Sequence, residues 1–255
     1  MIKEAKKKET NMKYYSNLLN QMEAYIPGEQ PMDKKYIKLN TNENPYPPTP
    51  KIKDVLENYD IEQLKLYPDP SARRLRATIG AQYGLDSDNI FIGNGSDEVL
   101  GFCFPAFFNP EDTIAFHDIT YSFYPVYAQL FRVNTQLIPL DNYRATLSQY
   151  HNIKANGIII ANPNAPTGIA NKKEEIEELI KNNADKIVII DEAYIDFCDE
   201  SVVDLVPKYD NLLVVQTFSK SYALAGVRCG MAMGHKNLID ALTFVKDSFN
   251  SYTSN

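Results

Sequence analysis

Four short stretches of this sequence combine residue types that can hold an anion, balance a cation and attack a carbonyl. The first is Gly93-Asn94-Gly95-Ser96-Asp97-Glu98, which opens a helical pattern. Glycine lets the backbone approach a ligand closely, and a helix N-terminus offers unpaired N–H groups to an anion. Ser96 and Asp97 also suit an N-cap, so the stretch reads equally as a capped helix after a tight turn. The second, Asn162-Pro163-Asn164-Ala165-Pro166-Thr167-Gly168, is an irregular polar loop fixed by two prolines and a glycine. The third is Asp191-Glu192-Ala193-Tyr194, directly after an apolar run. A carboxylate at the end of a buried strand is costly unless a cation meets it. Asp191 therefore either caps the next turn or awaits a protonated ring nitrogen. The fourth is Thr217-Phe218-Ser219-Lys220-Ser221, with Arg228 eight residues beyond the lysine. A lysine so placed can take a carbonyl as a Schiff base. The hydroxyls of Thr217 and Ser219, together with Arg228, can hold a phosphate dianion. One cofactor uses all of these features, pyridoxal phosphate, whose ring becomes an electron sink when a carboxylate keeps its nitrogen protonated.

Ligands of open α/β sheets gather beyond the carboxyl ends of the strands. Each of the four stretches follows a short β-rich run, at 89–92, 157–161, 186–190 and 212–216. Further runs at 113–116, 135–139 and 229–233 bring the count to seven. Helical periodicity falls at 51–59, 71–83, 96–107, 122–132 and 172–183. The alternation predicts an α/β fold, a mainly parallel seven-stranded sheet with helices on both faces. The expected organisation is an N-terminal extension and arm over 1–40, a large domain over 41–236, and a terminal helix beginning in 237–255. The polar residues 1–10 read as a frayed extension without the apolar core of a signal peptide, and Met12 offers a second possible start. A short amphipathic helix is expected over 13–26, followed by a turn-rich segment over 40–50. The apolar side of a helix over 237–249 has nothing after it in the sequence to cover it.

Of 255 residues, 44% are hydrophobic and 23% charged, which excludes a disordered or low-complexity chain. No apolar run reaches the roughly 18–20 residues of a membrane span. The formal charge of −7 argues against a general nucleic-acid binder. Cys103, Cys198 and Cys229 are odd in number and unpaired in spacing, as in a reduced cytoplasmic protein. His117, His151 and His235 are scattered, so no metal site is expected.

The sequence resembles the fold-type I aminotransferases of class I/II, and most closely their histidinol-phosphate branch. The resemblance rests on residues 39–50 (LNTNENPYPPTP), 67–76 (YPDPSARRLR), 93–98, 162–168, 191–197 (DEAYIDF) and 218–230 (FSKSYALAGVRCG). It implies transfer of an amino group between histidinol phosphate and 2-oxoglutarate, giving imidazole-acetol phosphate and glutamate, in histidine biosynthesis. An aromatic aminotransferase, a phosphoamino-acid decarboxylase of the same group, or an inactive cofactor-binding remnant are the alternatives. By the resemblance Lys220 would carry pyridoxal phosphate and act as general base, and Asp191 would pair with the ring nitrogen. Tyr194 would donate to the phenolate oxygen. Tyr121 would stack on the ring, with Tyr124 as the alternative. Ser96, Asp97, Thr217, Ser219 and Arg228 would bind the phosphate, and Tyr67 would reach the phosphate in a partner subunit, implying a homodimer. Asn42, Asn44 and Tyr46 would line the substrate entrance.

Two departures from the family pattern stand out. Ala165 occupies the position of an asparagine that contacts the phenolate oxygen, and Asn164 is the candidate to replace it by a one-residue shift. The family also continues into a small C-terminal domain, on the order of 100 residues, that supplies a substrate-binding arginine. That domain is expected to be missing from a chain ending at Asn255. Arg73, Arg74, Arg76, Arg132 and Arg144 do not match its motif.

Overall fold

The middle of the sheet is built from the three most apolar runs. These are β4 (Gly157–Ala161), β5 (Ile187–Asp191) and β6 (Leu212–Thr217), in which every residue but Ile187 is buried. The computed structural model describes residues 13–22, 28–29 and 36–253. The remaining strands are β1 (Ile90–Gly93), β2 (Thr113–His117), β3 (Asn134–Ile138) and β7 (Gly230–Gly234). The strand order is β1-β7-β6-β5-β4-β2-β3, parallel throughout except that β7 runs against both β6 and β1. The outermost strand, β3, carries exposed Asn134 and Thr135, as suits an edge.

Strand alternation sends side chains to two separate cores. Ile158, Ile160, Val188, Ile190 and Val214 face one side, where α3 (Arg73–Tyr83) and α6 (Lys173–Asn182) contribute Ile79, Ile176, Leu179 and Ile180. Ile159, Ile189, Leu213 and Val215 face the other, against α4 (Ser96–Phe107), α5 (Phe123–Phe131) and α7 (Lys236–Ser248). Each such side chain contributes roughly 1.5–3 kcal/mol by leaving water. The expected mainly parallel, doubly covered seven-stranded sheet is therefore observed, with element ends shifted by one or two residues. The helix over 71–83 starts at Arg73 because the Asp69 carboxylate accepts the N–H groups of Ser71 and Arg73.

The described residues of Asn42–Asn255 form one compact unit and those of Met1–Thr41 another. In the latter, α1 (Asn17–Gln21) is capped by the Ser16 hydroxyl, which accepts the Leu19 N–H. The helix ends in an extended Met22, short of the expected residue 26. Residues 23–26 and the expected frayed segment 1–10, with Met12, lie outside the described residues. Before α3 comes α2 (Lys51–Glu57). Among the described residues no helix is long and apolar enough to cross a membrane.

The expectation that the terminal helix lacks cover does not hold. Ile239 and Leu242 of α7 are buried in the core shared with α4, and Phe249 stacks on Phe102 with ring centres 5.5 Å apart. Its Lys246 is 6% exposed and donates to the Pro70 carbonyl at 2.8 Å. An earlier element, rather than a later one, supplies the cover, which sequence order does not reveal. Phe244 remains exposed on the outer side.

Because β7 is reversed, its first residue lies where β1 and β6 end: Gly230 pairs in register with both Gly93 and Thr217. A Cβ on Gly230 would collide with the backbone of Gly95 and Ser96 at the start of α4. The close approach of strand to helix terminus thus requires glycine. Gly230→Ala should destabilise the chain by about 1–3 kcal/mol, the usual cost of overpacking. Urea denaturation would measure it.

Candidate active site

The carboxyl ends of β1, β4, β5 and β6 and the start of β7 meet at one edge of the sheet, and a cleft opens there. The space between its walls, open to solvent on one side, is about 590 Å³. Ser96, Asp97, Tyr121, Asp191, Tyr194, Thr217, Ser219, Lys220 and Arg228 all line it, beside Ala161, Pro163, Ala165 and Ala193.

One end of the cleft is a cradle for an anion. Gly95 precedes α4 with φ +88°, a conformation that favours glycine. It leaves the N–H groups of Ser96 and Asp97 in the helix's first turn, at the positive end of the helix dipole. The Glu98 carboxylate accepts the Asn94 N–H at 2.7 Å and fixes the turn. The Thr217 hydroxyl donates to Ser219 Oγ at 3.0 Å and accepts the Ser219 N–H at 3.2 Å. Arg228, which precedes the reversed β7, brings Nη2 to 3.4 Å from Asp97 Oδ2. Tyr121 donates to the other oxygen of Asp97 at 2.6 Å.

Below the cradle lies a buried carboxylate. Asp191 is 4% exposed. Its Oδ2 accepts from the Tyr124 hydroxyl at 2.7 Å and its Oδ1 from the Ala193 N–H at 3.1 Å. Burial pushes the Asp191 carboxyl up to about 6, against the opposing pull of these two donors. Tyr124 is fully buried and its own ionisation is driven well upward by that burial and by Asp191. It does not line the cleft, so it supports Asp191 rather than facing a ligand. Tyr121 lines the cleft while Tyr124 is turned to the carboxylate, a division that their three-residue spacing did not disclose.

The next carboxylate, Glu192, is also buried. It accepts from the Ser201 hydroxyl at 2.6 Å, the Val202 N–H at 2.8 Å and the Gln216 amide at 2.7 Å. Tyr83, at the end of α3, donates to the Gln216 carbonyl oxygen at 2.9 Å. Burial pushes Glu192 up to about 7. Sequence reasoning assigned this residue no role. Two successive carboxylates ending an apolar run were the available signal.

Lys220 stands in the turn beyond β6. Its Nζ lies 3.4 Å from the Asn42 carbonyl oxygen and 5.4 Å from the centre of the Tyr194 ring. The Asn42 amide donates to the Tyr194 hydroxyl at 3.0 Å. The Asn44 amide donates to the carbonyls of Lys220 and Ser221, at 3.1 and 3.0 Å. The segment expected at the substrate entrance thus also touches the lysine turn.

Other expected residues lie elsewhere. Tyr67 and Tyr46 are 90% and 76% exposed and line no part of this cleft. Asn164 borders an adjoining hollow with Asn42 and Tyr194, while Ala165 lines the cleft itself. The Asn164 amide donates to the Ile119 carbonyl at 3.0 Å and to Thr167 Oγ1 at 3.2 Å, and its oxygen accepts from Thr120 at 2.8 Å.

The donor set has the chemistry of pyridoxal phosphate. Asp191 is a buried carboxylate held by two neutral donors and suited to a ring N–H⁺. The cradle offers N–H groups, hydroxyls and a guanidinium for a dianion, and a primary amine stands in the same cleft for an aldehyde.

The sequence profile of the family described as aminotransferase class I and II matches residues 34–255. The histidinol-phosphate aminotransferase of Brachyspira hyodysenteriae is 55% identical over 244 residues, 95% of this chain and 69% of that protein. That of Clostridium botulinum strain 657 is 51% identical over 242 residues, 94% of this chain and 68% of that protein. The present chain thus spans about two thirds of the length of these relatives. Among solved structures, histidinol-phosphate aminotransferase from Sinorhizobium meliloti in complex with pyridoxal-5'-phosphate superposes with a TM-score of 0.78 at 18% identity, over 94% of this chain and 73% of that one. The enzyme from Clostridium acetobutylicum gives 0.71 at 27% identity, over 84% and 65%. The cleft lies within the matched residues, and with identity above one half across nearly the whole chain, this protein belongs to the class I and II aminotransferase family.

Proposed function

We propose that this chain is the cofactor-binding part of a pyridoxal-phosphate-dependent histidinol-phosphate aminotransferase of histidine biosynthesis. The supporting observation is the placement of Lys220, Asp191 and the cradle of α4, Thr217, Ser219 and Arg228 around one cleft. When bound, pyridoxal phosphate supplies an electron sink for the substrate carbon that loses a proton. Lys220 would hold the cofactor covalently, and its Nζ would then move the proton as general base. Asp191 would hold the ring nitrogen's proton, and Tyr194, already accepting from Asn42, would donate to the ring oxygen. Tyr121 would cover one ring face. Ser96, Asp97, Thr217, Ser219 and Arg228 would anchor the phosphate. The second substrate pair would be glutamate and 2-oxoglutarate.

We further propose that the protein works as a cytoplasmic homodimer. Val55, Leu56, Ile61, Leu64, Leu66 and Tyr67 are all more than 60% exposed within one short stretch, an apolar surface suited to a second copy. Tyr67 would reach the phosphate held by that copy. All three cysteines are free, in keeping with a reducing compartment.

Incubation with pyridoxal phosphate should produce a visible absorbance band, and borohydride should fix the cofactor to Lys220. Peptide mass spectrometry would locate the adduct. Lys220→Ala should lose it entirely, and absence of the adduct in the parent chain would reject the reading.

The raised ionisation of Asp191 gives a second expectation. Because burial holds the folded carboxyl above its ordinary value, its ionised form costs stability, a cost that builds as pH rises from about 4 to about 6. Cofactor-free Asp191→Asn should therefore be more stable than the parent at pH 7.5, by about 1–2 kcal/mol. The difference should shrink as pH falls from about 6 towards about 4, while cofactor retention at neutral pH should be lost. Thermal unfolding across pH would check the first part and absorbance the second.

Leu64→Glu should shift the dimer towards monomer, as read by sedimentation equilibrium.

A further inference from the structure

The turn that carries Lys220 is gripped from a segment far away in sequence. Lys220 follows β6, and its carbonyl accepts the Ala223 N–H at 3.1 Å, while the Leu224 N–H donates to the Phe218 carbonyl at 3.1 Å. These bonds close the turn upon itself and leave its orientation to other contacts. Contacts from outside the turn contribute to it. The Ser221 hydroxyl donates to the Asp196 carboxylate. The Asn44 amide spends both of its N–H groups on the turn, one on the Lys220 carbonyl and one on that of Ser221, at 3.1 and 3.0 Å. A carbonyl oxygen has two lone pairs, so Lys220 O can serve Ala223 and Asn44 together. Asn44 Oδ1 in turn accepts the Tyr46 N–H at 3.0 Å, which orients the amide before it meets the turn. Every polar atom of the side chain is used, and Asn44 is partly buried.

We infer that Asn44 is a positioning residue that aims Lys220 into the cleft by clamping the carbonyls of Lys220 and Ser221. The inference rests on the reading that Lys220 carries the cofactor. The clamp is specific to asparagine. Aspartate has the same shape and keeps the bond from Tyr46, but it presents an oxygen where two carbonyls need donors. Alanine has neither group. Either change frees the lysine turn on one side while leaving β6, Asp191 and the cradle in place. The lysine amine would then spend less time where an aldehyde bound in the cradle could meet it. Misplacement of a reacting group by about 1 Å can slow a step up to about a hundredfold.

The test follows covalent capture of pyridoxal phosphate at Lys220 by the parent chain, Asn44→Ala and Asn44→Asp. Capture is stopped with borohydride at timed intervals and counted by peptide mass spectrometry. In parallel, acetylation of Lys220 in the cofactor-free proteins is timed across pH, and folding is checked by thermal unfolding. Both variants are expected to capture at least about tenfold more slowly and to show a changed pH profile of Lys220 acetylation, with a thermal midpoint within a few degrees of the parent. If Asn44→Ala folds poorly, Asn44→Asp, which retains the turn bond to Tyr46, carries the comparison. Capture at the parent rate with an unchanged acetylation profile would overturn the clamp alone. Failure of the parent chain to label at Lys220 would overturn the clamp and the proposed function together.

Discussion

A costly feature of this protein, on which its cleft is built, is a carboxylate at the end of its central strand. Asp191 lies in the middle of a doubly covered sheet, away from water. Ionised groups in such places lose hydration that neutral donors restore only in part. The Tyr124 hydroxyl and the Ala193 N–H provide that partial restoration. Keeping them in place requires a rigid surround, and the adjacent packing supplies it. Tyr124 meets the Phe116 ring edge-on at 5.7 Å. Glu192 is tied to Ser201, Val202 and Gln216 immediately beyond. A carboxylate kept in this state would suit a cationic ligand, and on the proposed reading the remainder of the cleft would give that ligand its other points of attachment.

The antiparallel course of β7 lets those attachments converge. A fully parallel arrangement would deliver only residues that follow strands. The reversed strand instead brings Arg228, which precedes it, to the same edge as Thr217 and Ser219, which end or follow β6. Gly230 then allows the start of α4 to press against the strand. Three separate parts of the chain therefore form one cradle, in which the Arg228 guanidinium lies against Gly95 and Asp97 at the start of α4.

Most of the sheet was legible in the sequence, because its strands are short apolar runs whose flanking turns are marked by glycine, proline and asparagine. The strand ends also named most of the cleft, since an open α/β sheet places its ligands there. Contacts set by tertiary structure were harder to read. Asn44 and Lys220 lie 176 residues apart, and an asparagine in a proline-rich segment gives no sign of which carbonyls it will meet. Tyr121 and Tyr124 share a residue type and nearly a position, and only the packing against β5 separates their tasks. The terminal helix misled for a similar reason. Its apolar stripe was plain, but its cover, α4, stands more than a hundred residues earlier.

The cradle and the lysine turn also have an electrical property. The cleft wall carries two basic side chains, Lys220 and Arg228, and two acidic ones, Asp97 and Asp191. In formal charges it is balanced, within a chain of net charge −7. On the proposed reading, the cleft wall itself would exert little long-range attraction on a phosphate-bearing molecule beyond the Debye length of about 8 Å in physiological salt. Recognition would then rest on contacts made at arrival: the N–H groups of a helix end, two hydroxyls, and an arginine that also meets Asp97. Such a site would select by shape and direction, and would discriminate weakly between anions until they were already in place.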